Sequence, residues 1–218
     1  MNQTLSNIAK RADSLYAARE DLENVRESVR LLQAAHAPDD YETNWRLGRA
    51  LFLIGQESKQ AAEAREAHAL AAHVCKRAAR SEPSRVEGHF WLGVNLSLLA
   101  QTENPINALR HARQAKRALQ RAARLDPAYH GAGPLRVLAR LEHKLPRLFG
   151  GSRTRSRAHF EEALRLAPAN TVTLIYFAEL LLDERDQRLA QEMLKRMGEE
   201  EGVNGEMGKR VKGKEEAR

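Results

Sequence analysis

Eight histidines, one cysteine and a glycine-rich step ahead of a helix are the residues of this chain whose chemistry could exceed a structural role. A helical metal site needs ligands three or four positions apart, so that they share a face. His68 and His73 are five apart and diverge, His73 and Cys75 fall on different faces, and there is no His-Glu-x-x-His and no second cysteine. No metal site is expected, and Cys75 reads as a small buried hydrophobe. Without a Gly-x-Ser-x-Gly elbow or a carboxylate pair in an apolar setting, no catalytic residue is assigned and the chain reads as a non-enzyme. No cofactor is expected either, because Phe149-Gly150-Gly151-Ser152-Arg153 lacks the Gly-Lys-Ser/Thr ending of a nucleotide loop. Gly150, Gly151, Ser152 and Arg153 do form a candidate anion loop, since backbone amides at a helix start favour negative charge. The competing reading gives the glycines to a turn and Ser152 or Thr154 to a helix cap.

Charge is the second signal. The formal net charge is +7, but residues 107–157 hold thirteen Lys or Arg against Asp126 and Glu142, which makes that stretch +11 and the remainder −4. A local excess of this kind points to an anionic partner or to a solvated helix face. Nucleic acid is not the expected partner: single-strand readers interleave aromatic residues for stacking, and this stretch has only Tyr129 and Phe149.

These residues must be carried by helices. Aromatic residues make up 5% of the chain and alanine, leucine, arginine and glutamate dominate, which favours helix over sheet. One phrase recurs: Ala71-Cys75-Ala78-Pro83, Ala115-Leu119-Ala122-Pro127 and Ser156-Phe160-Ala163-Pro168. Small residues seven apart leave a helix face flat, the larger residue between them plugs into a neighbour, and proline ends the helix. A second phrase pairs an apolar residue with a small one, at Leu47-Gly48, Leu92-Gly93, Leu138-Ala139 and Phe177-Ala178. Its small residue lets a second helix approach closely. Helices are expected over residues 3–18, 21–36, 41–54, 57–80, 85–100, 106–124, 129–144, 153–166, 171–183 and 186–197, with Ile54-Gly55-Gln56 marking one helix end. A repeat domain then spans 1–197, followed by a charged tail over 198–218 whose composition predicts disorder.

The order Leu-Gly, Ala, bulky residue, Ala, Pro resembles the tetratricopeptide repeat, a helix pair of about 34 residues. Pro83 to Pro127 is 44 residues and Pro127 to Pro168 is 41, so these repeats are longer. Together with Trp45-Arg46-Leu47-Gly48-Arg49-Ala50, Glu87-Gly88-His89-Phe90-Trp91-Leu92-Gly93, Lys144-Leu145-Pro146 and Phe149-Gly150-Gly151, the layout is similar to two divergent groups. They are the T component associated with TRAP transporters and the regulator-of-microtubule-dynamics family. The resemblance implies an all-α, TPR-like solenoid of about four irregular antiparallel helix pairs.

In the repeat family the first helix of each pair lines a groove. Counting three residues before and one after each small residue puts Trp45 and Arg49, Phe90 and Val94, Arg136 and Arg140, and Ile175 and Glu179 there. The expectation is a non-catalytic scaffold holding an acidic protein or peptide in that groove. The alternatives are a transporter-associated accessory protein with a small organic ligand, and a basic surface for nucleic acid or acidic membrane headgroups. No run of eighteen apolar residues is present, so no membrane span is expected. Met1 to Arg11 has no apolar core of a signal peptide, which predicts a cytoplasmic protein, or a periplasmic one if a leader has been removed.

Overall fold

The computed structural model describes residues 3–35 and 39–199, and its regular structure there is all helical. Short polar residues start the helices. The side chains of Asp21, Asp40, Asn104, Ser152 and Asn170 each accept a hydrogen bond from an amide two or three residues on, satisfying donors that a helix start leaves open. Packing groups the chain into two compact units, Met1–Asp126 and Pro127–Arg218.

The first unit contains α1 (Gln3–Ala17), α2 (Leu22–Ala34), α3 (Tyr41–Glu57), α4 (Ala61–Ser81), α5 (Val86–Thr102) and α6 (Pro105–Leu125). Helices α1 and α2, α3 and α4, and α5 and α6 pack as pairs, and α2 on α3 and α4 on α5 join them. The recurring phrases meet at the pair interfaces. A Cβ on Gly48 would lie 2.0 Å from Cys75 Sγ, and one on Gly93 would lie 2.5 Å from Leu119 Cγ, so α3 touches α4 as α5 touches α6. Ala71, Cys75, Ala78, Ala115, Leu119 and Ala122 are all fully buried at these seams. Each larger side chain there contributes roughly 1.5–3 kcal/mol through burial.

One boundary differs from expectation. Helix α3 does not stop at Ile54-Gly55-Gln56 but runs through Gly55, whose bare Cα lies against the His68 ring; a Cβ would sit 2.6 Å from the imidazole. The break comes at 58–60, where Ser58 Oγ accepts from the Gln60 amide.

The second unit contains α7 (Tyr129–Lys144), a 3-10 turn (Arg147–Phe149), α8 (Arg153–Leu166), α9 (Thr171–Asp183) and helical residues 187–199, here α10. Phe160 and Phe177 stack with ring centres 5.6 Å apart, in a core with Ala139, Leu174, Leu180 and Met193. Ser156 Oγ donates to the Ala139 carbonyl at 2.8 Å, so the small residues of the two phrases again mark the contact of a pair. Entry into α7 is unusual. His130, Gly131 and Ala132 have φ of 52°, 62° and 58°, one left-handed turn before the right-handed helix proceeds past Pro134. Of the expected tail, residues 198 and 199 belong to α10 and 200–218 lie outside the described residues. No helix among the described residues is long and apolar enough to cross a membrane.

Candidate interaction face

Helix α3 places Glu42, Trp45, Arg46 and Arg49 on one side by spacings of three and four. Helix α1 supplies Asp13 and Tyr16, and the start of α5 supplies Arg85 and Glu87. Asp13 bridges two guanidinium groups, accepting from Arg46 Nε at 2.9 Å and from Arg49 Nη2 at 2.6 Å. Glu42 pairs with Arg46 and Arg85 and accepts from Trp45 Nε1 at 2.9 Å. Arg85 Nη2 donates to Glu87 at 2.9 Å, and the Tyr41 hydroxyl donates to the same carboxylate at 2.8 Å.

Each guanidinium also lies over an aromatic ring. Arg46 is 4.3 Å from the Trp45 ring centre, Arg49 is 4.0 Å from that of Tyr16, and Arg85 is 4.2 Å from that of Tyr41. Such stacks fix the side chains and contribute through the ring quadrupole. Burial alone would raise the Glu42 carboxyl, but hydrogen bonds from Arg85, Arg46 and Trp45 outweigh it and hold the group down to about 2. Burial raises the Tyr16 and Tyr41 hydroxyls, so both stay protonated. Arg49 Nε is buried without a hydrogen-bond partner. Three carboxylates, Asp13, Glu42 and Glu87, thus neutralise three arginines. The face is preorganised and charge-balanced.

The groove residues expected from sequence fall in both units. Trp45, Arg49, Phe90 and Val94 belong to the first unit, Arg136 and Arg140 to the second. Trp45 and Arg49 join the network, but from within the unit: Trp45 is 8% exposed and the Arg49 side chain 16%. Phe90 and Val94 do not line an open face: they are 2% and 8% exposed, and Phe90 packs edge-on against Trp91 at 4.9 Å, because α5 is covered by α4 on one side and α6 on the other. Arg136 is 7% exposed and its Nη1 donates to the Gly131 carbonyl at 2.7 Å, so it braces the left-handed turn. Burial holds its guanidinium below the usual arginine range. Arg140 pairs with Glu179 of α9 and lies 4.3 Å from the Tyr176 ring centre.

The 150–153 loop is built as a turn and a cap. The Gly150 amide donates to Arg147, that of Gly151 to Pro146 and that of Ser152 to Glu142, all to backbone carbonyls. A Cβ on Gly151 would lie 1.8 Å from the Leu145 carbonyl oxygen, and Ser152 Oγ caps α8. These three amides are committed within the chain; Arg153, at the start of α8, is exposed beside them. Close by, Glu142 is 1% exposed and accepts from Arg155 Nε at 2.9 Å, with His159 Nδ1 at 3.0 Å.

Sequence reasoning missed Asp13, Glu42, Arg46, Arg85 and Glu87. The Glu42, Trp45, Arg46 spacing was a readable signal; the long-range partners Asp13 and Arg85 carried none. It also missed a 370 Å³ cleft in the first unit, floored by Leu92, Leu96 and Leu99 of α5 and walled by Lys76 of α4 and His111 of α6. Among the described residues no group of three His, Cys, Asp or Glu is placed to hold a metal ion.

A model of the family described as TRAP transporter T-component matches residues 46–197. A search of curated proteins finds no match. Solved structures share the fold at low identity. A thermophilic TPR protein of Thermus thermophilus, TTC0263, superposes with a TM-score of 0.65 at 21% identity, over 94% of this chain and 98% of that one. A crystal structure of MamA gives 0.60 at 16%, over 87% and 95%, and residues 41 to the end of MamA from Desulfovibrio magneticus RS-1 give 0.59 at 17%, over 90% and 96%. The fold is therefore TPR-like.

Proposed function

This chain belongs to the TRAP transporter T-component family, and we propose that it is a non-catalytic accessory scaffold that docks a protein partner through the α1/α3/α5 face. The observation that carries this reading is the set of three guanidinium–aromatic stacks locked by Asp13, Glu42 and Glu87. Arginine and aromatic side chains dominate binding energy at protein interfaces, and holding them in place beforehand reduces the ordering cost of association. Because the network is neutral in sum, it suits a partner of mixed polarity at this face.

The test is co-purification from native extract, with the unmodified chain beside a Tyr16→Ala/Arg49→Ala variant. A discrete protein retained by the former and lost by the latter supports the reading; a helical variant that retains the same protein overturns it. The second reading, an accessory protein holding a small organic ligand, is supported by the transporter in the family's description. Native mass spectrometry of the purified chain separates the two, since a bound small molecule adds a defined mass.

A further inference from the structure

Helix α6 carries six Lys or Arg residues and no acidic one. At 100° per residue, Arg110, Arg113, Arg117, Arg121 and Arg124 fall within an arc of about 80° and form a row about 21 Å long. Arg121 Nη2 reaches the Pro83 carbonyl at 3.1 Å. Arg110, Arg113, Arg117 and Arg124 are exposed, and no ion pair joins them to a carboxylate among the described residues. This contrasts with the α1/α3/α5 face, where every guanidinium has its carboxylate. The row also borders the 370 Å³ cleft: Gln114 and His111, on the cleft wall, lie beside Arg110 and Arg117 on the same helix, and Lys76 stands on the α4 wall opposite. Arg65, on that lining too, is already paired with Glu103 at 2.8 Å.

We propose that the α6 arginine row and the cleft beside it form a second docking surface, which takes an acidic amphipathic helix of a protein partner. The proposal rests on the scaffold reading and adds the chemistry of one partner. A row repeating every three or four residues matches carboxylates repeating every three or four residues on a facing helix. The guanidinium fork accepts a carboxylate in two parallel hydrogen bonds. An apolar-floored cleft alongside calls for apolar side chains on the same partner helix, which a phosphodiester chain lacks. Helix α6 has no Phe, Tyr or Trp to stack on bases. Its one large exposed apolar residue is Ile106, 83% exposed, too little apolar surface to seat the helix in a bilayer.

The experiment uses the full chain and two labelled synthetic helical peptides of equal charge, followed by fluorescence anisotropy. Both carry glutamates at spacings of three and four; one has leucines on the adjoining flank and the other serines. The leucine peptide is expected to bind about tenfold more weakly to an Arg113→Glu/Arg117→Glu variant, and to weaken with added salt. The serine peptide is expected to bind about tenfold more weakly than the leucine peptide. Both substituted residues are exposed, and circular dichroism confirms that the variant keeps its helices. Equal binding of the two peptides, or binding unchanged in the variant, overturns the proposal. So does a result in which only phosphatidylglycerol vesicles or a single-stranded oligonucleotide bind and lose binding in the variant. The Tyr16→Ala/Arg49→Ala chain should bind the leucine peptide normally. If neither peptide binds while the native partner still co-purifies, this inference fails and the scaffold reading stands.

Discussion

Arg136 Nη1 holds the carbonyl oxygen of Gly131 at 2.7 Å from a side chain sealed inside the second unit. The contact sits on three successive left-handed residues, of which His130 and Ala132 each cost roughly 1–2 kcal/mol for lacking glycine's freedom. Arg140, one turn on, is paired with Glu179 nearer the surface. Arg136→Glu would set a buried carboxylate against a carbonyl oxygen, and is expected to lower the thermal midpoint steeply, by more than about 3 kcal/mol in stability. Arg140→Glu loses a partly exposed pair and should cost about 1 kcal/mol. Thermal melts followed by circular dichroism check both; equal effects would contradict the brace.

Gly48 and Cys75 leave no room for a methyl group between α3 and α4. Gly48→Ala should destabilise by roughly 1–3 kcal/mol through overpacking. Adding Cys75→Ala removes the sulfur and should recover part of that loss, so a double-mutant cycle by urea denaturation is expected to show coupling. Strict additivity would count against the contact.

Ala122 and Ala163 are fully buried at equivalent repeat positions. Ala122→Glu or Ala163→Glu buries a carboxylate without a partner and should unfold the unit that holds it, at a cost above about 3 kcal/mol. Each is checked by loss of cooperative melting, and an unchanged midpoint would mean the repeat register is misdrawn.

Stability should fall on acidification in two stages. Burial lowers the His68, His89, His111 and His143 imidazoles below their ordinary 6.5. The unfolded chain therefore binds more protons once the pH drops through 6.5, and stability declines as it falls from there toward the folded values. Glu42 and Glu87 lie below their ordinary 4.5, so the stability they add is present above 4.5 and lost as the pH falls from there, toward about 2 for Glu42. Midpoints measured against pH should be flat between about 7 and 8 and fall below about 6.5, and they should fall again above about 9, where the unfolded chain ionises Cys75, Tyr16 and Tyr41 before the folded one does. His68→Gln is expected to flatten the first stage, and a first stage unchanged in that variant would refute its role.

Much of the repeat was legible because its physics is local. A small residue opposite a plug at a fixed interval, as with Gly48 and Cys75, specifies close approach whatever lies further away, and Ser152 announces the start of α8 by its side-chain chemistry. The site was legible only in part. Trp45 and Phe90 hold the same place beside Gly48 and Gly93 and both are buried; the elements packed on each decide that one ring meets arginines and the other a second ring. Arg136 and Arg140 are one residue type one turn apart, and tertiary packing alone separates brace from surface pair. The left-handed turn is held by Arg136 only five residues on, but that contact depends on the arginine being buried, and His130 and Ala132, which are not glycine, gave no sign of it.

Cys75, the single thiol, is wholly enclosed where α3 meets α4, and burial pushes its ionisation well above the ordinary thiol range. Only a thiolate reacts with an alkylating reagent at a useful rate, and only after the helices part. The rate at which the chain consumes such a reagent therefore times the opening of this one seam. The molecule carries, at the centre of its first unit, a clock for its own breathing that needs no added probe.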